Sequence, residues 1–442
     1  MTNHQYIDRL VNLLDPEANQ VFNMSVEDAT EAVGSGDPQQ IAQIEGQFAL
    51  IHKKDKVVRM ARSIARPMRF FLAKRSEGPC LVVAERIDEI KAFLESEGLD
   101  DQFHPSYTRM VPAHYLFELH LIGCPDPNPG YQRFLTPKQN SLPPDLDVIG
   151  TTYISKLAQQ CDRWLDTIDP KEPIGVMFSG GIDSGSVFLV LYHLLLQRGE
   201  SPSRLKAFTL AVDGDGADAE QSREFLKKLG LEIFLETIDV PVSAIDYRKA
   251  IAAVEDYKPL DIQSATMGYA LCEAIRERYP DWKYLVDGDG GDENLKDYPI
   301  EDNPELTIRS VLNNLMLYQE GWGVDAVKHS KTYSGGQSRG HVRTYAPGHH
   351  FGFVGFSPYA LPSVIEVAES IPFIELTDWQ HDKLYALKGE IVGRGIKAVT
   401  EIDMPVFPKR RFQHGITSKQ DFESLFPQSE SEYRAEFTRL YG

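Results

Sequence analysis

Residues 176–186 read Val176-Met177-Phe178-Ser179-Gly180-Gly181-Ile182-Asp183-Ser184-Gly185-Ser186, and the fold class turns on them. Ile174 to Phe178 is an apolar run with the length of a buried strand. It breaks at Ser-Gly-Gly, and Val187, Phe188, Val190, Leu191, Leu194 and Leu195 then follow at helical spacing, closed near Gly199. Strand, tight glycine turn and helix N-terminus together make an anion site. Unpaired N–H groups and the positive helix end converge there, and glycines let phosphate approach the backbone. No Gly-x-x-x-x-Gly-Lys-Ser/Thr loop occurs. Instead a carboxylate, Asp183, sits in the anion nest, which makes sense with a divalent cation between it and the phosphates, most simply Mg²⁺.

The stretch Ser179–Ser184 resembles the pyrophosphate-binding loop of the ATP pyrophosphatases, a group that includes asparagine, β-lactam, GMP and NAD synthetases and some tRNA-modifying enzymes. The resemblance implies cleavage of ATP to AMP and pyrophosphate, with Ser179, Gly180, Gly181, Asp183 and Ser184 holding pyrophosphate. It does not name the substrate.

A chain of 442 residues is long for one core, and 42% hydrophobic with 25% charged residues is a soluble globular composition. No apolar run approaches a membrane span, and the first residues do not read as a secretory signal. Cys80, Cys124, Cys161 and Cys272 are scattered with no CxxC pair, so reduced thiols and a cytoplasmic location are expected. The net charge of −19 disfavours a nucleic-acid substrate, because an acidic protein gains little from counterion release. ATP is an anion too, so the site must reverse the field locally with Mg²⁺ and a few cations.

Before the loop, Ile7 to Leu14 has a helical look ended by Pro16, and short strand-like runs begin at Ile44. They include Val57–Ala61, Met68–Leu72 and Cys80–Glu85, with a short helix over residues 85–94. Strands with tight polar turns predict a layered α+β domain over residues 1–122. Residues 123–146 hold six prolines and read as a linker or extended crossing segment. From 147 onward helical and strand-like runs alternate: helix 148–168, the strand before the loop, strand Leu205–Val212, helix 218–229, strand Ile233–Leu235, helices 243–256 and 266–279, and strand Lys283–Asp287. This alternation predicts an α/β fold over residues 147–442: a parallel, doubly wound sheet with ligands at the carboxyl ends of its strands.

One such end carries Asp287-Gly288-Asp289-Gly290-Gly291-Asp292-Glu293. Glycines allow close backbone approach and the carboxylates offer hard oxygen ligands. A calcium loop would need a glutamate at its twelfth position, and none is present. The segment resembles the asparagine synthetase motif Gly-(Asp/Glu)-Gly-x-Asp-Glu. That resemblance implies that Asp292 joins Asp183 on Mg²⁺ and that Asp289 lies near the acyl acceptor, able to take part in proton transfer. The family usually continues Leu-Phe-Gly-Gly-Tyr where this chain has Asn294-Leu295-Lys296-Asp297-Tyr298, which leaves the substrate open.

Further on, residues 300–400 read as largely helical, with a glycine-rich interruption at 334–338. His349-His350 lack an evident third metal ligand. Met404 to Gly415 supplies cations and resembles the family segment Lys-x-x-Phe-x-x-Gly; Lys409 aligns with the lysine that reaches the α-phosphate. Asp218 and Lys388 also fall at family-like positions.

Upstream, Gly46-Gln47-Phe48-Ala49, Arg66-Pro67-Met68-Arg69-Phe70-Phe71 and Val83-Ala84-Glu85 resemble degraded forms of three glutaminase-domain motifs of asparagine synthetases. That domain, an Ntn-like layered fold, uses a cysteine directly after the initiator Met, where this chain has Thr2. The resemblance therefore implies a truncated glutaminase-like scaffold that hydrolyses no glutamine.

These readings converge on an AMP-forming carbon–nitrogen ligase that uses ATP and Mg²⁺ and fits specialised metabolism. It would adenylate a carboxylate and pass it to ammonia, a substrate amine or an amine in the same molecule. Backbone around Phe178, Leu210, Asp287 and Gly288 would receive AMP. The expected partners are a small-molecule or peptide carboxylate and an amine, with no nucleic acid and no membrane, and homodimerisation is left open. The alternatives are a nucleic-acid or nucleotide modifying enzyme and an inactive scaffold.

Overall fold

The structure is a computed structural model describing residues 7, 9–74, 80–121, 129–214, 216–297, 307–313, 341–408 and 425–442. Its N-terminal half is set by two-residue periodicity. One four-stranded sheet has the order β1 (Arg9–Asn12), β7 (Cys80–Ala84), β6 (Arg69–Ala73), β8 (Arg109–Met110). The other has the order β10 (Gly130–Arg133), β9 (Tyr115–His120), β5 (Val57–Arg62), β4 (Ala49–Lys54) and is antiparallel throughout. A two-stranded ribbon of β2 (Gln20–Val21) and β3 (Gly46–Gln47) lies beside them.

Alternate residues go to opposite faces of each strand. Val58 and Met60 of β5, Phe117 and Leu119 of β9, Phe70 of β6, and Leu81 and Val83 of β7 meet in one core between the two sheets. The residues between them face outward. Phe71, Val82 and Ala84 pack on Ile90 and Leu94 of the helix Ile87–Ser96, while Ala61 and Leu116 pack with Ala29 and Val33 of the helix Val26–Ser35. The result is four layers: helix, sheet, sheet, helix.

The expected helix at 7–14 is instead strand β1, paired in parallel with β7 from Arg9↔Cys80 to Asn12↔Val83. Its apolar residues suit either period, and the open edge of β7 offered a ladder that an isolated helical turn could not match. Inside the Pro-rich segment, Gly130–Arg133 forms β10 at a sheet edge, between prolines rather than containing one.

The C-terminal half holds a five-stranded sheet of order β13 (Leu235–Val240), β12 (Leu205–Val212), β11 (Ile174–Met177), β14 (Tyr284–Val286), β15 (Val354–Phe356). Every pairing is parallel. The chain grows outward from β11 to β12 and β13, then returns to the other side of β11 with β14 and β15. That reversal makes a crevice at the carboxyl ends of β11 and β14. Strand β13 begins at Leu235, after a 3-10 turn over Glu232–Phe234, so the expected run at 233–235 lies two residues early. Strand β15 lies within the region expected to be mostly helical, and a three-residue apolar strand carries too little periodicity to declare itself. His349-His350 end a short helix, Ala346–His350. Among the described residues no helix is long and apolar enough to cross a membrane.

The halves meet along a seam. Gln20 Nε2 donates to the Gly355 carbonyl at 3.1 Å, Phe22 meets Phe356 edge-on at 6.2 Å, and Arg69 pairs with Glu255 at 3.1 Å.

Candidate active site

Two loops leave the sheet side by side at the switch point. Val176↔Val286 is the last paired register, so Ser179–Ser184 and Asp287–Asp292 begin as neighbours. The first loop turns at Gly180, whose φ of +69° belongs to the left-handed region that glycine enters freely. Ser184 Oγ accepts from the Ser179 N–H at 3.2 Å and lies 3.2 Å from Ser179 Oγ, which accepts from Gly181 N–H at 3.3 Å. The helix Ile182–Gln197 follows, with Gly181 at its cap and no side chain capping it. Its first N–H groups are therefore available to an external anion.

The second loop presses on the first. A Cβ at Gly291 would stand 2.2 Å from Asp183 Oδ1, and one at Gly288 would stand 2.7 Å from Ser184 N. No side chain fits at either place, which is why the acidic loop is also a glycine loop.

Lys388, from the helix Lys383–Thr400, enters between the loops. Its Nζ donates to Asp183 Oδ2 at 2.6 Å and to Asp292 Oδ1, with Asp297 at 3.7 Å. The lysine side chain is 2% exposed, and burial, which lowers its pKa, is outweighed by the three carboxylates that raise it well above the ordinary value. Asp183, Asp292 and Asp297 thus gather around this one ammonium. Burial, together with Asp292 and Asp297, pushes Asp183 up to about 7 against the pull of Lys388. Asp183 Oδ1 is buried with no hydrogen-bond partner among the described residues.

Carboxylates converging from two loops and an orphaned Asp183 oxygen fit a divalent cation. Among the described residues no group of three His, Cys, Asp or Glu side chains forms a ready metal cluster. Mg²⁺ commonly takes one or two carboxylates and completes its shell with phosphate and water, so Asp183 and Asp292 suit a cation arriving with a nucleotide.

Asp287 and Asp289 are arranged differently. Asp287 Oδ2 accepts from Ser357 Oγ at 2.9 Å and Thr344 Oγ1 at 3.0 Å, while Oδ1 accepts from Asp289 N–H at 3.0 Å. Thr344 also donates to Asp289. Burial pushes Asp287 up to about 6, and burial with the Asp287 charge pushes Asp289 well above the carboxylate range. This pair shares a proton more readily than it holds two charges. Arg343 stays charged because Glu293, Asp289, Asp292 and Asp261 offset the effect of its burial.

Of the expected site residues, Ser179, Gly180, Gly181, Asp183, Ser184, Asp287, Gly288, Asp289 and Asp292 come together at the switch point. Phe178 and Leu210 lie buried at adjacent strand ends, with Phe178 N–H donating to Phe208 O at 2.7 Å. Asp218 lies buried in the first turn of the helix Ala217–Lys228. Lys409, like Thr2 and the glycine-rich run 334–338, lies outside the described residues. The resemblance marked Lys388 only loosely, yet its ammonium bonds a carboxylate of each loop. A local signal existed: it is a lysine on the buried stripe of its helix, among Leu384, Leu387, Ile391 and Val392. Thr344 and Ser357, which hold Asp287, had no such signal.

Residues 167–343 match the family model described as asparagine synthase. A curated relative, the amidase chyE of Penicillium rubens, is 31% identical over 135 residues, which are 28% of this chain and 20% of that protein. The matched part thus spans one fifth of the length of that relative. Both glycine loops lie inside the matched segment, so over residues 167–343 this chain is similar to the asparagine synthase family.

Proposed function

We propose that the protein is an ATP-dependent ligase that forms an amide. A substrate carboxylate attacks the α-phosphorus of ATP, pyrophosphate leaves, and an acyl-adenylate remains. An amine then attacks the acyl carbon, loses a proton, and AMP departs. The observation that carries this reading is the packing of the two glycine loops at the switch point, with Lys388 spanning Asp183 and Asp292.

In this reading Asp183 and Asp292 would hold Mg²⁺, which when bound neutralises phosphate charge. Ser179, Gly180, Gly181 and Ser184 would bind pyrophosphate through the uncapped helix N-terminus. Lys388 would turn its ammonium towards phosphate once a cation takes over its two carboxylates. Lys409 would stabilise charge on the α-phosphate and tetrahedral intermediate, a role that rests on the resemblance alone. Asp289, with its raised proton affinity, would orient the acceptor and take a proton from it. AMP would lie against the backbone of Phe178, Leu210, Asp287 and Gly288.

The amine is proposed to be ammonia, a substrate amine or an internal amine, without glutamine hydrolysis. Cys80, Cys161 and Cys272 are buried, and burial raises each thiol, away from a nucleophilic thiolate. The resemblance of the first domain to a degraded glutaminase supports a role in specialised metabolism, and scattered cysteines with no CxxC pair support a cytoplasmic location.

Pyrophosphate release from Mg-ATP, measured across a pool of carboxylic acids with and without ammonium, tests the proposal. Release that needs one acid and disappears in Asp183→Ala supports it, and its ammonium dependence separates free from internal amines. Failure of the protein to bind Mg-ATP in calorimetry would sink it.

A further inference from the structure

One cavity bordered by described residues lies away from the two loops. It measures about 730 Å³ and opens along the seam between the halves, and neither Ser179–Ser184 nor Asp287–Asp292 borders it. Its lining includes Gln160 of the helix Leu146–Leu165, Glu45 and Gly46 before β3, and Leu361 and Pro362 at the start of the helix Pro362–Glu369.

Gln160 is 1% exposed, yet neither its Oε1 nor its Nε2 has a hydrogen-bond partner among the described residues. Buried native amides are satisfied, and this one can be satisfied from the cavity it lines. The seam continues in the same condition. One helical turn on, Trp164 Nε1 has no partner among the described residues, nor does either amide atom of Gln47, next to Gly46. A side-chain amide presenting donor and acceptor together is matched by a group that presents acceptor and donor together, which a primary carboxamide does.

Two further features narrow the occupant. Ile44, Phe134 and Leu135 give the cavity an apolar wall. The charged lining residues are Asp37, Glu45 and Glu366 against Arg133. Glu45 is paired with Arg163, while Arg133 lies over the Tyr115 ring at 4.6 Å and donates to its hydroxyl at 2.6 Å. Glu366 is exposed, and Asp37, which caps the helix Pro38–Ile41 by accepting from Gln39 N–H at 2.9 Å, adds a second carboxylate to the lining. We propose that this cavity binds a small primary amide bearing an ammonium group, its amide paired with Gln160, its apolar body on Phe134 and Ile44, and its ammonium towards Glu366 and Asp37. The site is independent of the ligase reading.

Leucinamide is the probe, titrated into the full chain by saturation-transfer NMR and calorimetry up to about 10 mM, the range of weak small-molecule sites. The expected result is saturable binding that weakens by about tenfold or more in both Gln160→Leu and Gln160→Glu. Leucine methyl ester, which keeps the ammonium but not the amide, and 4-methylpentanamide, which keeps the amide but not the ammonium, should each bind at least about fivefold more weakly. Thermal unfolding of the variants matching the parent chain shows that they fold, and Gln160→Glu keeps the shape should Gln160→Leu unfold. Absence of saturable binding, equal affinity in the Gln160 variants, or loss of binding in Asp183→Ala would each overturn the assignment.

Discussion

The two halves of this molecule bury charge in opposite ways. In the N-terminal layers the buried charges include arginines that meet backbone carbonyls or a carboxylate. Arg62 donates to the carbonyls of Val111 at 2.5 Å and of Ser63, Ile64 and Arg66 at 3.3 Å; Arg66 pairs with Glu85 and Arg69 with Glu255, both at 3.1 Å. At the switch point, among the described residues, Asp183, Asp292 and Asp297 gather around the single ammonium of Lys388. A balanced buried charge holds a fold in one arrangement, whereas an unbalanced one is costly until something arrives to balance it. The difference separates a scaffold from a site.

That contrast is most directly broken at Asp183. Asp183→Ala is expected to lower acid-dependent pyrophosphate release by about 10³-fold. It should leave the metal-free unfolding temperature unchanged or raised, because it removes one of the carboxylates gathered around Lys388. A large fall in stability would mean that the carboxylate is structural after all. The opposite pattern is expected of Arg69→Met. Glu255 is 1% exposed and would lose a buried partner, a loss of about 3–5 kcal/mol in denaturant unfolding. Activity per folded molecule should stay near that of the parent.

A smaller effect sharpens the picture within the site. Asp289→Asn is expected to slow amide formation by about 10²-fold while sparing ATP binding, which single-turnover kinetics would separate. Equal losses in both would make Asp289 part of the nucleotide site instead.

The smallest expected effect is on the pH dependence of stability. Burial raises Asp183 and Asp256 to about 7 and Asp287 to about 6, all above their unfolded values. The native state therefore binds more protons than the unfolded chain between the two sets of values. Their contribution is full below the unfolded pKa of about 4 and is lost as pH rises through about 6 to 7. The metal-free protein should melt a few degrees higher at pH 6 than at pH 8, and Asp183→Asn should flatten that slope. A melting temperature that climbs between pH 6 and 8 would contradict the raised proton affinity of these buried carboxylates.

Much of this was local enough to be legible. The strand–glycine–helix unit at 174–199 and the acidic glycine loop at 287–292 are written in adjacent residues, because turn conformation and helix N-termini are short-range effects. The alternation of strands and helices after residue 147 likewise announced a parallel sheet. Residues 7–14 were not legible, since an eight-residue amphipathic run fits two periods and only the free edge of β7 decides between them. Nor was the three-residue β15.

The sequence by itself determined the two loops, their glycines and their carboxylates, and hence the class of anion they suit. Tertiary structure alone decided what stands between them. Lys388 reaches Asp183 across 205 positions of chain and Asp292 across 96, and Gln160 faces a cavity whose other walls come from elsewhere in the chain. Such pairings follow from which faces of helix and sheet bury against one another, and no window of neighbouring residues records that choice.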